Sequence, residues 1–570
     1  MSTDHKLIIY QLLPRLFGNA NTTNKVYGSV GENGVGKLND ITDVALQEIS
    51  KMGFSHVWYT GVIEHATMTD HSAYGIKLDD PDVVKGRAGS PYAIKDYYDI
   101  APDLAVDVHN RIAEFQELVN RTHLNGLKVI IDFVPNHVAR TYASDAKPHG
   151  VRDFGEDDDI TLACGPENDF YYIPGTRFVV PAGYNPGGDE FTSPFKDGRF
   201  DEYPAKATGN DVFSPAPSIN DWFETIKLNY GVYYLDGHKH YLGHVPPLWH
   251  KMHHILTYWA EMGVDGFRCD MIEMVPVEFW AWIIPKLKVT FPGLIFIGEA
   301  YDKQQYYNYI YNGGFDYLYD KVGLYDAIRR LTCNDYGANT WQINDVWNNH
   351  TRGIDQHMLR FMENHDEQRI ASRDFAGDAT LAIPGMIVSA TLNTGPVMVY
   401  YGQEVGEPAA GEMGFSGDDG RTTIFDYWGV PEHQKWLNNG RFDGGQLSAQ
   451  QKQLRDFYVK LLNTVKANDA LRNGSFYELM IANEHQPGFN TMLYVYLRYT
   501  MEQRVLVIVN FGRQQATLRV RIPTDLLADF NLSGQVIFTD LLTNNVFTIN
   551  DISAGIEVTV PANGGLLLNL

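Results

Sequence analysis

The sequence repeats a unit in which a helical segment ends at a glycine and an apolar strand follows within a few residues. Residues 51–59 (Lys-Met-Gly-Phe-Ser-His-Val-Trp-Tyr), 124–131 and 261–267 are three copies of this unit. Before the third copy, residues 248–262 carry an apolar side chain at every third or fourth position, as one face of a helix does. Helices that alternate with strands predict a parallel sheet, and the number of repeats predicts a closed eight-stranded α/β barrel.

Eight segments have the apolar character expected of the barrel strands, although the run at 315–318 is short. They are residues 7–12, 56–59, 128–133, 264–269, 294–298, 315–318, 358–362 and 397–401. Active sites of α/β barrels lie at the carboxyl ends of the strands. The residues that follow each strand are therefore the ones to inspect for chemistry.

Carboxylates and imidazoles follow four of these strands. Arg268 and Asp270 are two positions apart at one strand end, so their side chains point the same way, and the arginine favours the ionised form of Asp270. Taken alone, this pair could equally be a structural ion pair. Glu299 ends a second strand, and residues 132–137 and 363–366 add further carboxylates and two histidines. Four such strand ends in one chain predict a catalytic cleft.

These strand ends resemble the four conserved regions of the α-amylase superfamily, glycoside hydrolase family 13. The matching residues are 132–137 (Asp-Phe-Val-Pro-Asn-His), 266–270 (Gly-Phe-Arg-Cys-Asp), 298–300 (Gly-Glu-Ala) and 364–366 (Asn-His-Asp), within a resemblance that spans roughly residues 7–430. The resemblance implies that Asp270 is the nucleophile, Glu299 the general acid and base, and Asp366 the stabiliser of the transition state.

The local sequence agrees with these three roles. Glu299 ends an apolar strand with no cation adjacent in sequence, and burial there favours the protonated form that a general acid needs. Glu363 is a second candidate at the seventh strand end, but the family pattern and the neighbouring Asn364 and His365 favour Asp366.

The resemblance also implies a set of substrate-binding residues. His137 and His365 match imidazoles that bind hydroxyls of the sugar on the non-reducing side of the cut. Tyr92, in the segment after the second strand, matches a ring that stacks on the same sugar, with packing at the barrel rim as the alternative. We group Arg268 with these residues. A zinc site at the two histidines is disfavoured, because zinc ligands usually come in close local pairs.

A calcium site is the one cofactor that the resemblance suggests. Asn136 matches the family's calcium-binding asparagine, so we expect a possible Ca²⁺ ligand there. Shortly after the nucleophile, many α-amylases carry a Lys-His pair that contacts sugar and calcium, whereas this chain has Glu273-Met274. We therefore expect calcium to matter less than in calcium-dependent amylases.

The helix–strand rhythm divides the chain into three predicted domains. Residues 1–137 and 246–465 form the (β/α)8 TIM barrel, domain A. Residues 138–245, rich in Gly, Pro, Asp and Tyr, resemble the family's domain B, inserted after the third strand. Residues 466–570 contain short alternating strands and predict a C-terminal antiparallel β-sandwich, domain C.

Composition limits the classes of partner and location. A net charge of −24 argues against nucleic-acid and membrane-surface partners, which require a basic face. Cys164, Cys269 and Cys333 have no motif spacing, so neither a disulfide framework nor a structural zinc site is expected. The first residues lack an apolar signal core and no segment is long enough for a membrane span, which predicts a cytoplasmic protein. The sequence does not predict the oligomeric state.

The expected activity is that of a retaining glycosidase acting on α-1,4-linked glucans or malto-oligosaccharides. Within the same family, an α-glucosidase or a transglycosylase is the alternative, since both use the same three carboxylates. A catalytically inactive barrel that serves as a binding subunit is disfavoured, because such proteins usually lose residues of this triad and here all three are present.

Overall fold

Eight parallel strands form a barrel at the centre of the molecule. The computed structural model of the chain describes residues 6–241 and 243–570. The barrel strands, numbered one to eight in chain order, are Ile8–Leu12, His56–Tyr59, Lys128–Phe133, Gly266–Cys269, Ile295–Gly298, Tyr317–Tyr319, Met358–Leu359 and Val397–Tyr400.

The strands are arranged around the barrel in sequence order. Strand one pairs in parallel with strands two and eight, and each later strand pairs with the next up to strand seven. A parallel bridge between Arg360 and Val397 joins strand seven to strand eight and closes the barrel. The predicted parallel barrel is therefore confirmed.

Helices cover the outside of the barrel, and the predicted unit at 248–269 shows how the sequence positions one strand. The helix Pro247–Glu261 buries Leu248, Met252 and Trp259 on one face. Gly263 then has a φ of +91°, a left-handed conformation that a glycine adopts without steric cost, and strand four follows, fully buried. The longer helices packed around the barrel are Asp43–Lys51, Arg111–Leu124, Pro247–Glu261, Val277–Thr290, Asp326–Cys333, Ile383–Thr391 and Ala449–Ala467.

Strand seven is shorter than its apolar run predicts. The predicted strand covers 358–362, whereas the observed one ends at Leu359. The buried Arg360 that follows turns its guanidinium toward Asp320, at 3.3 Å, and toward Asn393. Beyond Leu359, these side-chain contacts and the bridge to strand eight therefore take the place of a continuous hydrogen-bond ladder between strand seven and its neighbours.

Between strand three and the helix Pro247–Glu261, the chain forms an insertion made of short paired strands. His137–Ala139 pairs with Thr225–Lys227, Tyr172–Ile173 with Ala205–Lys206, and Val232–Tyr233 with Lys239–His240, all antiparallel. The first of these pairs places the end of the insertion beside the end of strand three. The exact domain limits remain predictions, and residues 1–5 and 242 lie outside the described residues.

The C-terminal part is an antiparallel sandwich, as predicted. One sheet has six strands: Ser475–Glu478, Leu493–Tyr499, Arg504–Asn510, Gly564–Asn569, Val536–Asp540 and Val546–Ile549. The other sheet pairs Ala516–Val520 with Ile556–Val560. Side chains from both sheets share one apolar core that includes Leu506, Leu518 and Val558.

The structure also bears on the cysteines and on possible membrane-spanning helices. Cys164, Cys269 and Cys333 are free thiols, and Cys269 is buried in the main hydrophobic core. Within the ranges 6–241 and 243–570, no helix combines the length and apolar character that crossing a membrane requires.

Candidate active site

The three predicted catalytic carboxylates lie in one cleft at the carboxyl ends of the barrel strands. Asp270, Glu299 and Asp366 line a cavity of about 320 Å³, together with Tyr92 and His137. The cavity lies between the barrel and the inserted segment, which contributes Trp222, Glu224 and Thr225 to its wall.

Arg268 lies beneath the cleft and contacts two of these carboxylates. Its Nη1 donates a hydrogen bond to Asp270 Oδ1 at 2.7 Å, and its Nη2 lies 2.8 Å from Glu299 Oε2, with poor hydrogen-bond alignment. Nε donates to the Tyr319 hydroxyl at 3.1 Å. The side chain has no exposed surface. Arg268 therefore positions the carboxylates and is too deeply buried to contact a substrate, which differs from our grouping of it with the binding residues.

Glu299 accepts hydrogen bonds from two sides. The Met271 backbone N–H donates to Oε2 at 2.9 Å, and the Tyr301 hydroxyl donates to Oε1 at 2.7 Å. The sequence places no cation next to Glu299, but the fold brings the Arg268 guanidinium to it from strand four. Both catalytic candidates thus share one cation.

Burial raises the pKa values of Asp270 and Asp366 in the cleft. Burial and the nearby Glu299 carboxylate raise the pKa of Asp270, while Arg268 opposes the shift. Burial and Glu299 also raise the pKa of Asp366 to about 7. We expected the arginine to dominate at Asp270, but desolvation outweighs it. Among the described residues, Arg268 is thus the one cation in contact with both Asp270 and Glu299, and it offsets part of the cost of burying Asp270.

His365 connects three parts of the cleft wall. Its Nδ1 lies 2.8 Å from the Gln11 amide nitrogen, and its Nε2 lies 3.1 Å from Asp366 Oδ2 and contacts the Tyr92 hydroxyl. Because the Gln11 amide donates to Nδ1, we assign the ring proton to Nε2. Burial and Arg268 lower the pKa of His365 well below its usual value, so the ring is neutral.

Tyr92 is half-buried at the cleft wall. Its ring stacks on the His365 ring with a centroid distance of 5.3 Å and an interplanar angle of 24°, and its hydroxyl donates to Asp132 Oδ1 at 3.2 Å. A ring fixed by neighbours on one side presents a flat face to the cleft, as a stacking platform for a sugar would.

His137 also lines the cavity, at the start of the inserted segment. Burial lowers the pKa of this imidazole to about 3, so it is neutral and can exchange hydrogen bonds with hydroxyl groups. Its ring packs at 5.2 Å from the Trp222 ring. Trp222, Tyr301 and Phe425 also line the cavity, and sequence reasoning did not select them. Tyr301 had a signal, since it lies two positions after Glu299 and so faces the same side.

Glu363, the second candidate at the seventh strand end, and Glu273, which follows the nucleophile segment, both have structural partners elsewhere. Glu363 accepts from Arg369 Nη1 at 2.9 Å and from the Ile370 backbone N–H at 2.7 Å. Glu273 accepts from the backbone N–H groups of Tyr301 and Asp302 at 3.0 and 2.8 Å. Both therefore hold loops in place beside the cleft.

The surroundings of Asn136 do not fit a calcium ion. Its side-chain oxygen accepts a hydrogen bond from Lys227 Nζ at 2.7 Å, and the same ammonium lies 2.5 Å from Asp211 Oδ1. The side-chain nitrogen donates to the Gly209 carbonyl at 2.7 Å. Lys227 thus already fills the cation position beside Asn136, and the Asp211 carboxylate balances its charge.

Comparison with known proteins identifies the family. Residues 11–474 match the family model of the α-amylase catalytic domain. The chain is 23% identical over 417 residues to a cyclomaltodextrin glucanotransferase of Geobacillus stearothermophilus, a match that covers 70% of this chain and 49% of that protein. It is 24% identical over 318 residues to α-amylase 2 of Dictyoglomus thermophilum, covering 55% and 47%.

The chain thus spans about half the length of the curated relatives it matches. Its fold resembles the crystal structure of a maltogenic α-amylase from Thermotoga neapolitana, with a TM-score of 0.61 and 19% identity over 100% of this chain and 99% of that one. The match of the catalytic-domain model covers most of the 570 residues, so this chain belongs to the α-amylase family, glycoside hydrolase family 13.

Proposed function

We propose that the protein is a retaining glycoside hydrolase that cleaves α-1,4-glucosidic bonds in α-glucans or malto-oligosaccharides. The observation that carries this proposal is the single Arg268 guanidinium in contact with both Asp270 and Glu299. A pair of carboxylates held by one guanidinium agrees with the separation of about 5–5.5 Å in retaining enzymes, whereas inverting enzymes leave room for a water molecule.

In the first step, the Asp270 carboxylate attacks the anomeric carbon of the bound sugar. Glu299 transfers its proton to the glycosidic oxygen as that bond breaks, so the leaving chain departs as a neutral alcohol. The products are a covalent glycosyl ester on Asp270 and an ionised Glu299. Arg268 faces both carboxylates and holds them in position for this exchange.

In the second step, Glu299 takes a proton from water, which attacks the same carbon and releases Asp270. Two inversions restore the original configuration of the sugar. Asp366 lies on the cleft wall beside His365, where it would accept hydrogen bonds from sugar hydroxyls that strengthen as positive charge develops on the ring. His137 and Tyr92 would bind the same sugar.

The choice of substrate rests on the family and on the names of its relatives. These names include α-amylases and a glucanotransferase, which act by hydrolysis and by transfer. An α-glucosidase or a transglycosylase is therefore the alternative within the proposal. The cleft aromatics Tyr92, Trp222 and Phe425 suit a glucan chain, whose sugar rings have apolar faces.

Product analysis tests the proposal. The purified protein is incubated with maltoheptaose, panose, pullulan and maltose, and the products are separated by chromatography. A ladder of shorter maltodextrins supports an endo-acting amylase, glucose released alone supports an α-glucosidase, and products longer than the substrate indicate transfer. An absence of turnover on all four substrates would contradict the proposal and favour an inactive binding subunit.

Three finer predictions accompany the proposed activity. The division into domains A, B and C can be tested by limited proteolysis, with cuts expected near 138–245 and near residue 466. Residence in the cytoplasm is a prediction that cell fractionation can test. The third prediction is that no metal ion binds at Asn136 during the catalytic cycle, because Lys227 Nζ donates a hydrogen bond to its side-chain oxygen.

A further inference from the structure

Outside the cleft, four carboxylates converge beside a short hairpin that follows strand two. Glu64 lies on the strand Ile63–His65, which pairs with Ile94–Ile100, and Asp96 is its direct partner across the ladder. Asp99 lies on the same strand as Asp96, Ile94–Ile100. Asp145, the fourth carboxylate, lies at the start of the insertion. Like charges directly opposite each other destabilise a strand pair, so this arrangement requires compensation.

The carboxylate oxygens have the spacing of a cation site. One oxygen from each of Glu64, Asp96, Asp99 and Asp145 lies within 4.8 Å of the others. Two ligand oxygens on opposite sides of a Ca²⁺ ion, each at about 2.4 Å from it, are about 4.8 Å apart. The four oxygens can therefore surround one ion without a large movement of the backbone.

Glu64 is buried, and one of its carboxylate oxygens is available to bind a cation. Its side chain is 1% exposed, and its Oε2 has no hydrogen-bond partner among the residues that the structure describes. Its Oε1 lies 3.7 Å from Lys95 Nζ, which is closer to Asp79, at 3.3 Å. A buried carboxylate oxygen without a donor is costly unless a proton or a cation compensates it.

The cations near the group do not balance its charge. Arg111 donates to both oxygens of Asp99 and to the Val108 carbonyl. Lys95 lies between Glu64 and Asp79 and donates to the Lys77 carbonyl. The two cations thus face five carboxylates: Glu64, Asp79, Asp96, Asp99 and Asp145. With every group ionised, three negative charges are left over.

The segment that carries Asp145 is held so that the group can form. Asp96 accepts hydrogen bonds from the Ser144 hydroxyl at 2.6 Å and from the backbone N–H groups of Asp145 and Ala146 at 2.9 Å each. Asp145 itself is exposed, so an ion can reach the group from solvent.

We propose that Glu64, Asp96, Asp99 and Asp145 bind one Ca²⁺ ion, at a site separate from Asn136 and from the catalytic cleft. The ligands are all hard oxygen atoms, which calcium prefers, and no imidazole or thiolate belongs to the group, as zinc would favour. Water completes the coordination on the side of Asp145. The ion ties the start of the insertion to the hairpin behind Tyr92 and stabilises the folded chain without taking part in the reaction.

Calcium titration of the intact protein tests this site. The protein is treated with EDTA, dialysed, and titrated with CaCl2 by isothermal calorimetry, and its thermal melting is followed in parallel. We expect one bound ion and a higher melting temperature. Asp145→Asn should weaken binding on the order of tenfold or more, since it removes one charged ligand. Glu64→Gln should abolish binding.

Asp157→Asn is the matched control, because Asp157 is also an exposed aspartate of the insertion but pairs with Arg152 at 2.5 Å. It should bind calcium like the parent. The proposal is overturned if the parent binds no calcium at millimolar concentration, the outcome expected when a proton on Glu64 alone compensates the charge. Equal binding by the parent and by Asp145→Asn would also overturn it. If Glu64→Gln does not fold, Asp145→Asn still tests the site, because a substitution at the exposed Asp145 should leave the fold intact.

Discussion

Replacing Glu299 by Gln should separate the two chemical steps of the proposed reaction. The amide fits the site, because its oxygen can accept from the Met271 N–H while its nitrogen donates to the Tyr301 hydroxyl oxygen. The variant also leaves Arg268 with Asp270 as its remaining catalytic carboxylate, and it removes the Glu299 charge, one of the three causes that raise the pKa of Asp270 beside burial and Asp366. The substitution should therefore favour the ionised form of the nucleophile while removing the proton donor.

The size of the effect depends on the leaving group. A glucan leaves as an alkoxide unless it is protonated, so loss of the general acid should reduce its turnover on the order of 10²–10⁴-fold. That loss corresponds to about 2.7–5.4 kcal/mol of transition-state stabilisation at about 1.36 kcal/mol per factor of ten. α-Glucosyl fluoride needs little protonation of its leaving atom, so formation of the covalent intermediate should be nearly unchanged.

The assay compares maltoheptaose cleavage with fluoride release in the parent and the variant. Sodium azide is then added, since this anion can attack the intermediate without a general base and should restore turnover of the fluoride as α-glucosyl azide. Glu273→Gln is the control, because Glu273 binds the backbone of Tyr301 and Asp302 beside the cleft. It should change both activities by a similar factor. Equal losses on both substrates for Glu299→Gln, without azide rescue, would refute its assignment as acid and base.

Asp270→Asn should abolish nearly all turnover with an unchanged melting temperature, since the amide cannot form the glycosyl ester; turnover within about tenfold of the parent would exclude it as nucleophile. Lys227→Met should lower the free energy of unfolding by about 2–3 kcal/mol in urea titrations, somewhat below the usual cost of breaking a buried pair because Asp211 is 33% exposed; an unchanged value would show that the lysine does not stabilise Asn136. Burial lowers the pKa of His56 to about 3 in the folded state, below its ordinary 6.5, so its contribution to stability is present above pH 6.5 and declines as the pH falls toward 3. Relative to His56→Gln, the parent should therefore lose about 2 kcal/mol of unfolding free energy between pH 7 and pH 5, and a pH-independent difference would contradict this.

The barrel and the position of the cleft carboxylates were predictable because each has a local signal. An apolar strand after a glycine is visible in the sequence, and a carboxylate at its end, such as Asp270 or Glu299, stands out against that run. The predictions of strand ends were less accurate, because a strand end depends on contacts with other segments that a local pattern does not contain. The predicted seventh strand extends past Arg360, because neither the side-chain contact of Arg360 with Asp320 nor its backbone bridge to strand eight leaves a trace in a periodic pattern.

Contacts between distant segments were not predictable from local patterns. Lys227 lies 91 positions from Asn136, on a three-residue strand that no periodicity reveals, so its ammonium could not be placed beside the asparagine. The contact between Arg268 and Glu299 likewise depends on the reach of a long side chain between adjacent strands. Glu64 had no signal, because a lone acidic residue in a three-residue strand resembles a surface position.

The shared guanidinium of Arg268 has a consequence for the timing of the proposed cycle. Once Asp270 becomes a glycosyl ester, it carries no charge, and the arginine has Glu299 as its remaining catalytic counterion. The attraction on Glu299 is then strongest at the stage when it must be ionised to accept a proton from water. When the ester is hydrolysed, the negative charge on Asp270 returns and draws the arginine back, which favours reprotonation of Glu299 for the next substrate. Each chemical step thus prepares the charge state that the following step requires.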